Sequence, residues 1–186
     1  MTLDELHDLA CEQLARAASD PEHPFRYPVF ATVDAAGRPA LRTVVLRAFT
    51  KEPGRLVFFT DRRSPKCGQI LRQPASGWLF YDRSRRLQVR VDGLSIVIED
   101  EQGRNHYLED AKRSWRDYAG RMPPGAVIPY SRAADPGALP ATNDLVNFAV
   151  IETRIETLEL LLLRREGHLR ARFHWRQPPR AEWLAP

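Results

Sequence analysis

The residues best suited to chemistry in this chain are cations and hydroxyls in two short segments. The first is an apolar hexapeptide that begins at Arg42 and ends at Arg47. In the second, Ser64 and Lys66 follow an apolar run that ends at Thr60. Arginine, lysine and hydroxyl side chains are the groups that bind phosphate esters. Together the two segments predict a pocket for a phosphate ester, formed where a strand meets the start of a helix.

The second segment has the signature of a helix start. Ser64 is a preferred N-cap, and Pro65 suits the first helical position. A helix N-terminus exposes unpaired N–H groups and a partial positive charge, which attract phosphate. Lys66 would oppose that charge, so its position indicates a bound anion. The alternative is that Lys66 and Arg62 simply extend into water, and spacing does not choose between the two.

The two arginines of the first segment cannot bind one group from a regular strand. Arg42 and Arg47 are five positions apart, and such residues point to opposite faces of a strand. They would converge only if the strand bent. Otherwise one arginine holds a cofactor phosphate while the other serves a neighbouring pocket, or both are charges on an exposed edge.

Hydrophobic periodicity predicts short strands joined by hairpins, together with helices over 3–18, 64–73 and 104–119. The predicted strands are Tyr27–Val33, Ala40–Phe49, Leu56–Thr60, Gly77–Tyr81, Leu87–Ile98, Phe148–Ile155, Leu158–Leu163 and Leu169–Trp175. Residues 122–140 form a long Pro/Gly/Ala-rich loop, and the acidic run 99–101 is interpreted as a solvated turn. This pattern is typical of a mainly β fold with flanking helices, an antiparallel barrel or sandwich.

Size and composition limit the class of protein. The 186 residues suit a single domain spanning 1–186. No apolar run approaches the ~18 residues of a membrane helix, and the acidic N-terminus does not indicate export. Cys11 and Cys67 fall in predicted helices without framework spacing, which favours a reducing, cytoplasmic setting. We therefore expect a cytoplasmic protein with no membrane partner.

The net charge of +4 raises the question of nucleic acid. Nearly all of the 28 cationic Lys and Arg residues are arginines, and they are scattered among acidic residues rather than clustered. We therefore do not expect a nucleic-acid partner, although a basic interaction protein stays as a minor alternative.

Familiar catalytic motifs are absent from the sequence. The five histidines show no metal-ligand spacing, and there is no G-x-S-x-G elbow, P-loop or G-x-G-x-x-G fingerprint. No metal site is predicted, and the catalytic residues are unknown. If the chain is an enzyme, a cofactor carries the chemistry.

Six motifs occur in an order and spacing that resemble the pyridoxamine 5'-phosphate oxidase family. They are Phe30-Ala-Thr-Val, Gly37-Arg-Pro, Arg42-Thr-Val-Val-Leu-Arg47, Phe58-Phe-Thr-Asp, Arg63-Ser-Pro-Lys66 and Gln88-Val-Arg-Val-Asp-Gly93. The resemblance covers residues 27–95, and a weaker one runs from Arg170-Ala-Arg172-Phe173 to the terminal Leu184-Ala185-Pro186. It implies an FMN-binding split β-barrel, a homodimer with FMN at the subunit interface, and a small-molecule substrate.

The residues that match the family's motifs are those that the resemblance implies contact the cofactor. The residues are Arg42, Thr43, Val44, Val45, Leu46, Arg47, Phe59, Thr60, Ser64, Lys66, Gln88 and Arg172. Arg42 would lie near the phosphate, with Ser64 and Lys66 completing its cradle. Gln88 would reach the flavin ring from the partner subunit, and Arg172 would lie near the cofactor edge. Without the resemblance, Gln88 is an ordinary polar strand residue.

Phosphate contacts alone do not explain tight binding. A charge-assisted hydrogen bond contributes about 1.5–3 kcal/mol, and a helix terminus about 0.3–1 kcal/mol. A micromolar complex requires a binding free energy of ~8 kcal/mol. Two or three such bonds and one helix terminus barely reach that value once the cost of ordering the ligand and side chains is subtracted. The ring must therefore also be buried. We predict that the segment Val44–Leu46 forms part of its wall and meets its polar edge with backbone groups.

The chain also departs from the family pattern on the substrate side. An arginine before the helix lysine is replaced by Pro65, and an Arg-x-His-x-Arg motif by the run His168–Arg172. A tryptophan upstream is replaced within Leu160–Leu163, and residues for a substrate phosphate have no clean equivalents, with Trp115 and Arg121 nearby. We interpret the chain as a divergent member with an altered substrate.

Three functions stay open from the sequence. The first is an FMN-dependent oxidoreductase with a small substrate, which Arg47, Arg170 and Arg172 orient. An anionic substrate is one form of this hypothesis. The second is a non-catalytic flavin carrier or sensor. The third is the basic interaction protein.

Overall fold

The computed structural model describes residues 1–114, 118, 122–127, 145–175 and 179–186. The helices in these ranges are α1 (Leu3–Ser19), α2 (Pro65–Arg72), α3 (Glu101–Asn105) and α4 (Leu108–Lys112), with a 3-10 turn at Pro24–Arg26. The strands are β1 (Val29–Val33), β2 (Pro39–Thr43), β3 (Ala48–Thr50), β4 (Arg55–Asp61), β5 (Ala75–Asp82), β6 (Leu87–Ile98), β7 (Phe148–Leu162), β8 (Leu169–His174) and β9 (Arg180–Trp183).

The nine described strands form one antiparallel sheet, which confirms the predicted mainly β fold. Its order is β2-β1-β5-β6-β7-β4-β3, and β8 joins β7 to β9. One edge of β7 pairs with β6 from Val150 to Leu162. Its other edge pairs first with β4 and then, from Thr157 onward, with β8. Strand β7 therefore links the part of the sheet that carries β4 to the part that carries β8.

The prediction of one strand over Ala40–Phe49 was wrong. The chain leaves the ladder after Thr43 and resumes a strand only at Ala48. Between them, the Val44 amide donates to the Pro28 carbonyl at 3.0 Å and the Arg47 amide to the Val57 carbonyl at 2.8 Å. The segment therefore crosses from the neighbourhood of β1 to β4. The opposite-face rule for a regular strand does not apply to its two arginines.

The prediction of two strands over Phe148–Leu163 was also wrong, because β7 is continuous. Its register against β6 shifts at Asp92 and Gly93, which lie opposite Thr157 and Ile155, so β7 has one extra residue at this point. A β-bulge accommodates one such extra residue without ending a strand. A Cβ atom on Gly93 would collide with the carbonyl oxygen of Arg154, so the bulge requires glycine there.

The region after β6 differs from the predicted helix over 104–119. Two short helices, α3 and α4, occupy its described part. Residues 99–101 are exposed to solvent, as predicted, but they lead into a helix: the side chain of Asp100 accepts a hydrogen bond from the Gly103 amide and caps α3. Trp115, Arg121 and most of the loop 122–140 lie outside the described residues. Strand β9 was not predicted.

Two apolar clusters lie on opposite faces of β4, which explains its continuous apolar run. Leu56 and Phe58 belong to the main core, whereas Val57 and Phe59 belong to a second cluster with Phe148. The main core also buries the apolar face of α1, which confirms the predicted helix over 3–18. A capping box of Thr2 and Glu5 begins that helix. Among the described residues, no helix has the length and apolarity to cross a membrane.

Candidate functional site

A cavity of about 270 Å³ lies where the segment after β2, the end of β4 and the start of α2 meet. Residues singled out from the sequence supply much of its wall, namely Thr43, Val44, Val45, Arg47, Phe59, Thr60 and Lys66. The two sequence segments that predicted a pocket are thus brought together in space. The sequence did not identify the other described wall residues, which are Phe58, Asp61, Tyr118 and Pro124.

A rigid turn between β4 and α2 places the lysine at the cavity. The buried carboxylate of Asp61 accepts hydrogen bonds from the Arg63 amide at 2.8 Å and from its guanidinium at 2.6 Å. The Arg62 amide donates to the Asn147 carbonyl at 2.7 Å. These bonds hold the turn, so that the first residues of α2 face the wall formed by Thr60.

Lys66 is a half-buried cation held by hydroxyls. Its ammonium donates to the Thr60 hydroxyl at 3.0 Å and to the Ser64 hydroxyl. Burial, and to a smaller extent the charge of Arg42, lowers the pKa of Lys66 below its ordinary value. Ser64 does occupy the N-cap position, but its side chain caps no backbone amide of α2. No carboxylate in the described part of the chain forms an ion pair with Lys66.

Arg42 stands behind the cavity wall rather than in it. Its guanidinium donates to the Thr32 hydroxyl at 2.7 Å and to the Gln69 side-chain oxygen on α2 at 3.0 Å, and lies 5.8 Å from the centre of the Phe30 ring. Burial lowers its pKa. Arg42 therefore adds positive charge near Lys66 while its hydrogen bonds fix it against α2.

Arg47 lies in the wall with part of its hydrogen-bonding capacity unused. Its guanidinium lies 5.3 Å from the centre of the Phe59 ring and reaches the Ser114 hydroxyl at 3.4 Å. Its buried Nε has no hydrogen-bond partner within the described residues. A buried donor without a partner is uncommon in folded proteins and indicates a polar group that belongs there.

These features fit FMN, which joins a phosphate to a flat ring. Three cations without a carboxylate partner among the described residues suit the phosphate, and Val44, Val45 and Phe59 offer apolar surface to the ring. The side chain of Leu46 is buried in the main core and does not line the cavity, and its amide donates to the Arg26 carbonyl at 3.0 Å. The volume is slightly below the ~300–1,000 Å³ of most ligand sites.

The remaining predicted residues lie together on a different surface. The register pairs Leu161 of β7 with Gln88 on one side and Arg170 on the other, and Glu159 with Arg90 and Arg172. Their side chains therefore share one face of the sheet. On β7, Ala149 lies opposite the cavity residue Thr60, and Glu159 lies ten residues further along the strand. At about 3.3 Å per residue, these two positions are roughly 33 Å apart along the strand. Within one chain, this β6–β8 face is therefore distant from the cavity.

Glu159 organises the β6–β8 face, and sequence reasoning missed it. Arg170 donates to its Oε1 at 2.9 and 2.6 Å, and Arg172 to its Oε2 at 3.2 Å. Burial would raise the pKa of Glu159, but these bonds and the charge of Arg90 outweigh burial and lower it. The available signal was an acidic residue inside the apolar stretch that ends β7. Among the described residues, no group of three His, Cys, Asp or Glu is placed to hold a metal ion.

Comparison with known proteins gives one consistent family. Residues 10–99 match the model of the pyridoxamine 5'-phosphate oxidase FMN-binding domain. The chain is similar to the pyridoxine/pyridoxamine 5'-phosphate oxidases of Zymomonas mobilis, with 30% identity over 109 residues, and Rhodospirillum rubrum, with 26% identity over 161 residues. The alignments cover 56% and 80% of each pair of chains respectively, so the chain spans little more than half the length of the first relative.

Solved structures agree with that family. An FMN-binding protein from Nostoc punctiforme, described as related to pyridoxamine 5'-phosphate oxidase, is 27% identical over the whole of both chains with a TM-score of 0.76. PhzG from Burkholderia lata has the same TM-score at 17% identity over 97% of this chain and 92% of its own, and shares the fold. Residues 10–99 thus match the FMN-binding domain of the pyridoxamine 5'-phosphate oxidase family, the relatives and the Nostoc punctiforme structure agree with that family, and the cofactor is FMN.

Proposed function

We propose that this protein is an FMN-dependent oxidoreductase that acts on a small molecule. The observation that carries the proposal is a partly apolar cavity with Arg47 and Lys66 in its wall and Arg42 behind the wall, all three without a carboxylate partner in the described part of the chain. Partly buried cations without an anionic partner are costly, and a phosphate ester would offset that cost.

The cations and hydroxyls would hold the FMN phosphate. Lys66 is already oriented by Thr60 and Ser64, and the uncapped N-terminus of α2 adds N–H donors. Arg42 would contribute mainly through its charge, because its hydrogen bonds engage Thr32 and Gln69. Each charge-assisted hydrogen bond contributes about 1.5–3 kcal/mol.

The apolar wall would hold the ring. Val44, Val45 and Phe59 supply a surface against which a flat ring is removed from water. Arg47 is held near Phe59, and its unsatisfied Nε is the donor best placed for a polar atom of the cofactor or substrate.

FMN, when bound, supplies two-electron transfer between a substrate and an acceptor. The residues of the chain would then bind, orient and exclude water. Asp61, a carboxylate in the described wall, is engaged by Arg63 and is not available as a general base. This distribution of roles agrees with an enzyme whose cofactor performs the redox step.

We further propose a homodimer in which the β6–β8 face of one subunit closes the cavity of the other. The cavity of one chain is small, about 270 Å³, and Gln88 and Arg172, which the resemblance assigns to FMN, are not in its wall but on a separate face. That face also exposes Leu79 at 39% and Tyr81 at 50%, apolar surface of the kind that interfaces cover. The free, buried thiols of Cys11 and Cys67 support a cytoplasmic setting.

A second candidate is a flavin carrier or sensor without turnover. One observation favours it: the guanidinium of Arg170, expected to orient an anionic substrate, is engaged by Glu159. Anaerobic mixing of the FMN-loaded protein with candidate reductants separates the two. Bleaching of the flavin by a small organic reductant supports the oxidoreductase, and failure of every reductant class supports the carrier.

The basic test is the visible spectrum of the purified protein. We expect flavin absorbance, or its appearance after incubation with FMN, at one FMN per chain. Riboflavin, which lacks the phosphate, is the matched ligand and should bind far more weakly. A protein that stays colourless after incubation with FMN contradicts the proposal.

Subunit complementation tests the shared site. Lys66→Ala damages the cavity, and Gln88→Ala with Arg172→Ala damages the β6–β8 face. A mixed dimer of the two variants has one site with every defect and one site with none. We expect native FMN affinity at one of the two sites of each mixed dimer, which is about a quarter of all sites when equal amounts of the variants exchange subunits at random. If mixing restores nothing, the site lies within one chain.

A further inference from the structure

A second cavity, of about 360 Å³, lies between α1, the turn that joins β3 to β4, and the strands β8 and β9. We call it the α1–β8 cavity. It shares no described wall residue with the proposed flavin cavity, so its ligand must be inferred from its own wall. The described wall combines three rings with two carboxylates, namely His7, Phe173, Trp175, Asp4 and Glu52.

The three rings meet at His7. The ring centres of Phe173 and Trp175 each lie 5.1 Å from that of His7, and both rings are tilted against it. Burial, and to a smaller extent the charge of Lys51, lowers the pKa of His7, so its ring is neutral at pH 7. Among the described residues, no lysine or arginine lies over any of these three rings. Their faces are therefore available to a cation from outside the chain.

Trp175 is held in place without a ligand. Its indole Nε1 donates to the Lys51 carbonyl at 3.0 Å, and its amide donates to the Glu156 carbonyl at 2.9 Å. The indole also lies directly against Gly54, where a Cβ atom would overlap the ring at 2.4 Å. A wall that is already fixed lowers the cost of ordering it around a ligand.

The charges left unengaged at this cavity are negative. Asp4 and Glu52 are exposed at its edge, and neither forms an ion pair with a described residue. The cationic wall residue Arg180 is engaged by Glu182 at 3.0 Å, and the same carboxylate accepts from His174 at 3.1 Å.

The nearby cation Lys51 does not supply the missing positive charge, because Asp8 engages it at 2.9 Å. The wall thus offers aromatic faces and two carboxylates to a ligand of positive charge. Asp4 also suits the first turn of α1, where the helix dipole favours an anion, but Glu52 lies in a turn and has no such role.

We infer that the α1–β8 cavity binds a small organic ammonium ion. The ring faces attract a cation, and the carboxylates add a longer-range attraction at the cavity edge. The volume lies within the ~300–1,000 Å³ of most small-molecule sites. A bare metal ion is a poorer ligand, because no group of three His, Cys, Asp or Glu in the described part of the chain is placed to hold one.

Choline and 3,3-dimethyl-1-butanol are suitable probes, because they have the same shape and differ in a charged nitrogen against a neutral carbon. Titration calorimetry on the FMN-loaded protein measures both affinities. We expect choline to bind at one site per chain, about tenfold or more tightly than the neutral probe. In nuclear magnetic resonance spectra, the indole N–H signal of Trp175 should shift on addition of choline. Trp175→Phe identifies that signal by its loss.

A charge-removing variant tests the carboxylates. Asp4→Asn with Glu52→Gln keeps the shape of the wall, and both residues are exposed, so the fold should be retained. We expect choline affinity to fall about fivefold or more, with the affinity of the neutral probe constant within about twofold. The matched control is Glu12→Gln with Glu22→Gln, which removes two exposed carboxylates outside the described wall and should change neither affinity.

Each outcome decides the inference. A wild type that binds choline no more tightly than the neutral probe refutes it, whatever the variants do. Choline binding that leaves the Trp175 signal unmoved, or that persists at full affinity in the folded Asp4 and Glu52 variant, also refutes it. Equal losses in the control variant would mean that only the overall charge matters. Failure of the protein to bind FMN would contradict the proposed function instead, and the same titrations on the FMN-free protein would still test this cavity.

Discussion

The ammonium nitrogen of Lys66 lies 3.0 Å from the hydroxyl oxygen of Thr60. The hydrogen bond joins the first turn of α2 to the last residues of β4, across the turn that Asp61 holds. A half-buried cation thus depends on hydroxyls rather than on a carboxylate. Such an arrangement lowers the stability of the empty site and favours an anionic ligand.

The first prediction concerns the phosphate. Lys66→Met keeps the length of the side chain and removes its charge, so the FMN affinity should fall about 10–100-fold, the equivalent of one charge-assisted hydrogen bond. Riboflavin affinity should change less than about threefold, because that ligand lacks the phosphate. Fluorescence titration measures both. Arg85→Met, on the turn where Arg85 pairs with Asp82, is the control. Equal losses for FMN and riboflavin would show that Lys66 contacts the ring instead.

The second prediction concerns the FMN-free protein. Burial lowers the pKa of Lys66 in the folded state, so the unfolded chain binds that proton more tightly. The contribution of Lys66 to the free energy of unfolding is therefore unfavourable at neutral pH. This unfavourable contribution becomes smaller, and the protein more stable, as the pH rises from the lowered pKa of Lys66 towards its ordinary value of 10.5.

Lys66→Met should accordingly stabilise the FMN-free protein by roughly 1 kcal/mol at pH 7, which raises Tm by about 2–4 °C. The advantage over the wild type should shrink as the pH approaches 10. Urea unfolding of both proteins at the two pH values measures it. An advantage that is constant with pH, or a loss of stability at pH 7, would contradict a destabilising Lys66.

The third prediction tests the bulge that keeps β7 continuous. Gly93→Ala would drive a Cβ into the carbonyl of Arg154, so we expect a loss of at least about 2 kcal/mol in the free energy of unfolding. Gly68→Ala is the control, because Gly68 lies exposed within α2 and a Cβ there meets nothing within 4 Å. It should stabilise by about 0.5–1 kcal/mol. Similar effects of the two substitutions would mean that the close approach at Gly93 is not real.

The fourth prediction tests the proposed dimer. Tyr81 is 50% exposed and lies opposite Gln88 on the β6–β8 face. Tyr81→Asp should produce monomers in sedimentation experiments and weaken FMN binding at least tenfold, because a charge would be buried in the interface. Leu71→Asp, on the exposed side of α2, should leave both unchanged. Monomeric protein that binds FMN with native affinity would exclude a shared site.

Local sequence was enough for several elements and for the location of the cavity. The apolar spacing of α1 and the Ser64-Pro65 start of α2 are short-range signals, and both helices form where they were expected. The family motifs lie in the same order as the strands that carry them. Thr60 and Lys66 could also be placed together from the sequence, because only one tight turn separates them along the chain.

Tertiary structure decided the rest, because it depends on residues that are distant along the chain. The departure from the ladder after Thr43 follows from hydrogen bonds to the turn before β1 and to β4. The continuity of β7 follows from the absence of a side chain at Gly93 on its neighbour. Sequence alone thus determined the family, the cofactor and the groups suited to a phosphate. The register of β6, β7 and β8 decided that Glu159 meets Arg170 and Arg172, since cross-strand partners are fixed only when the sheet assembles.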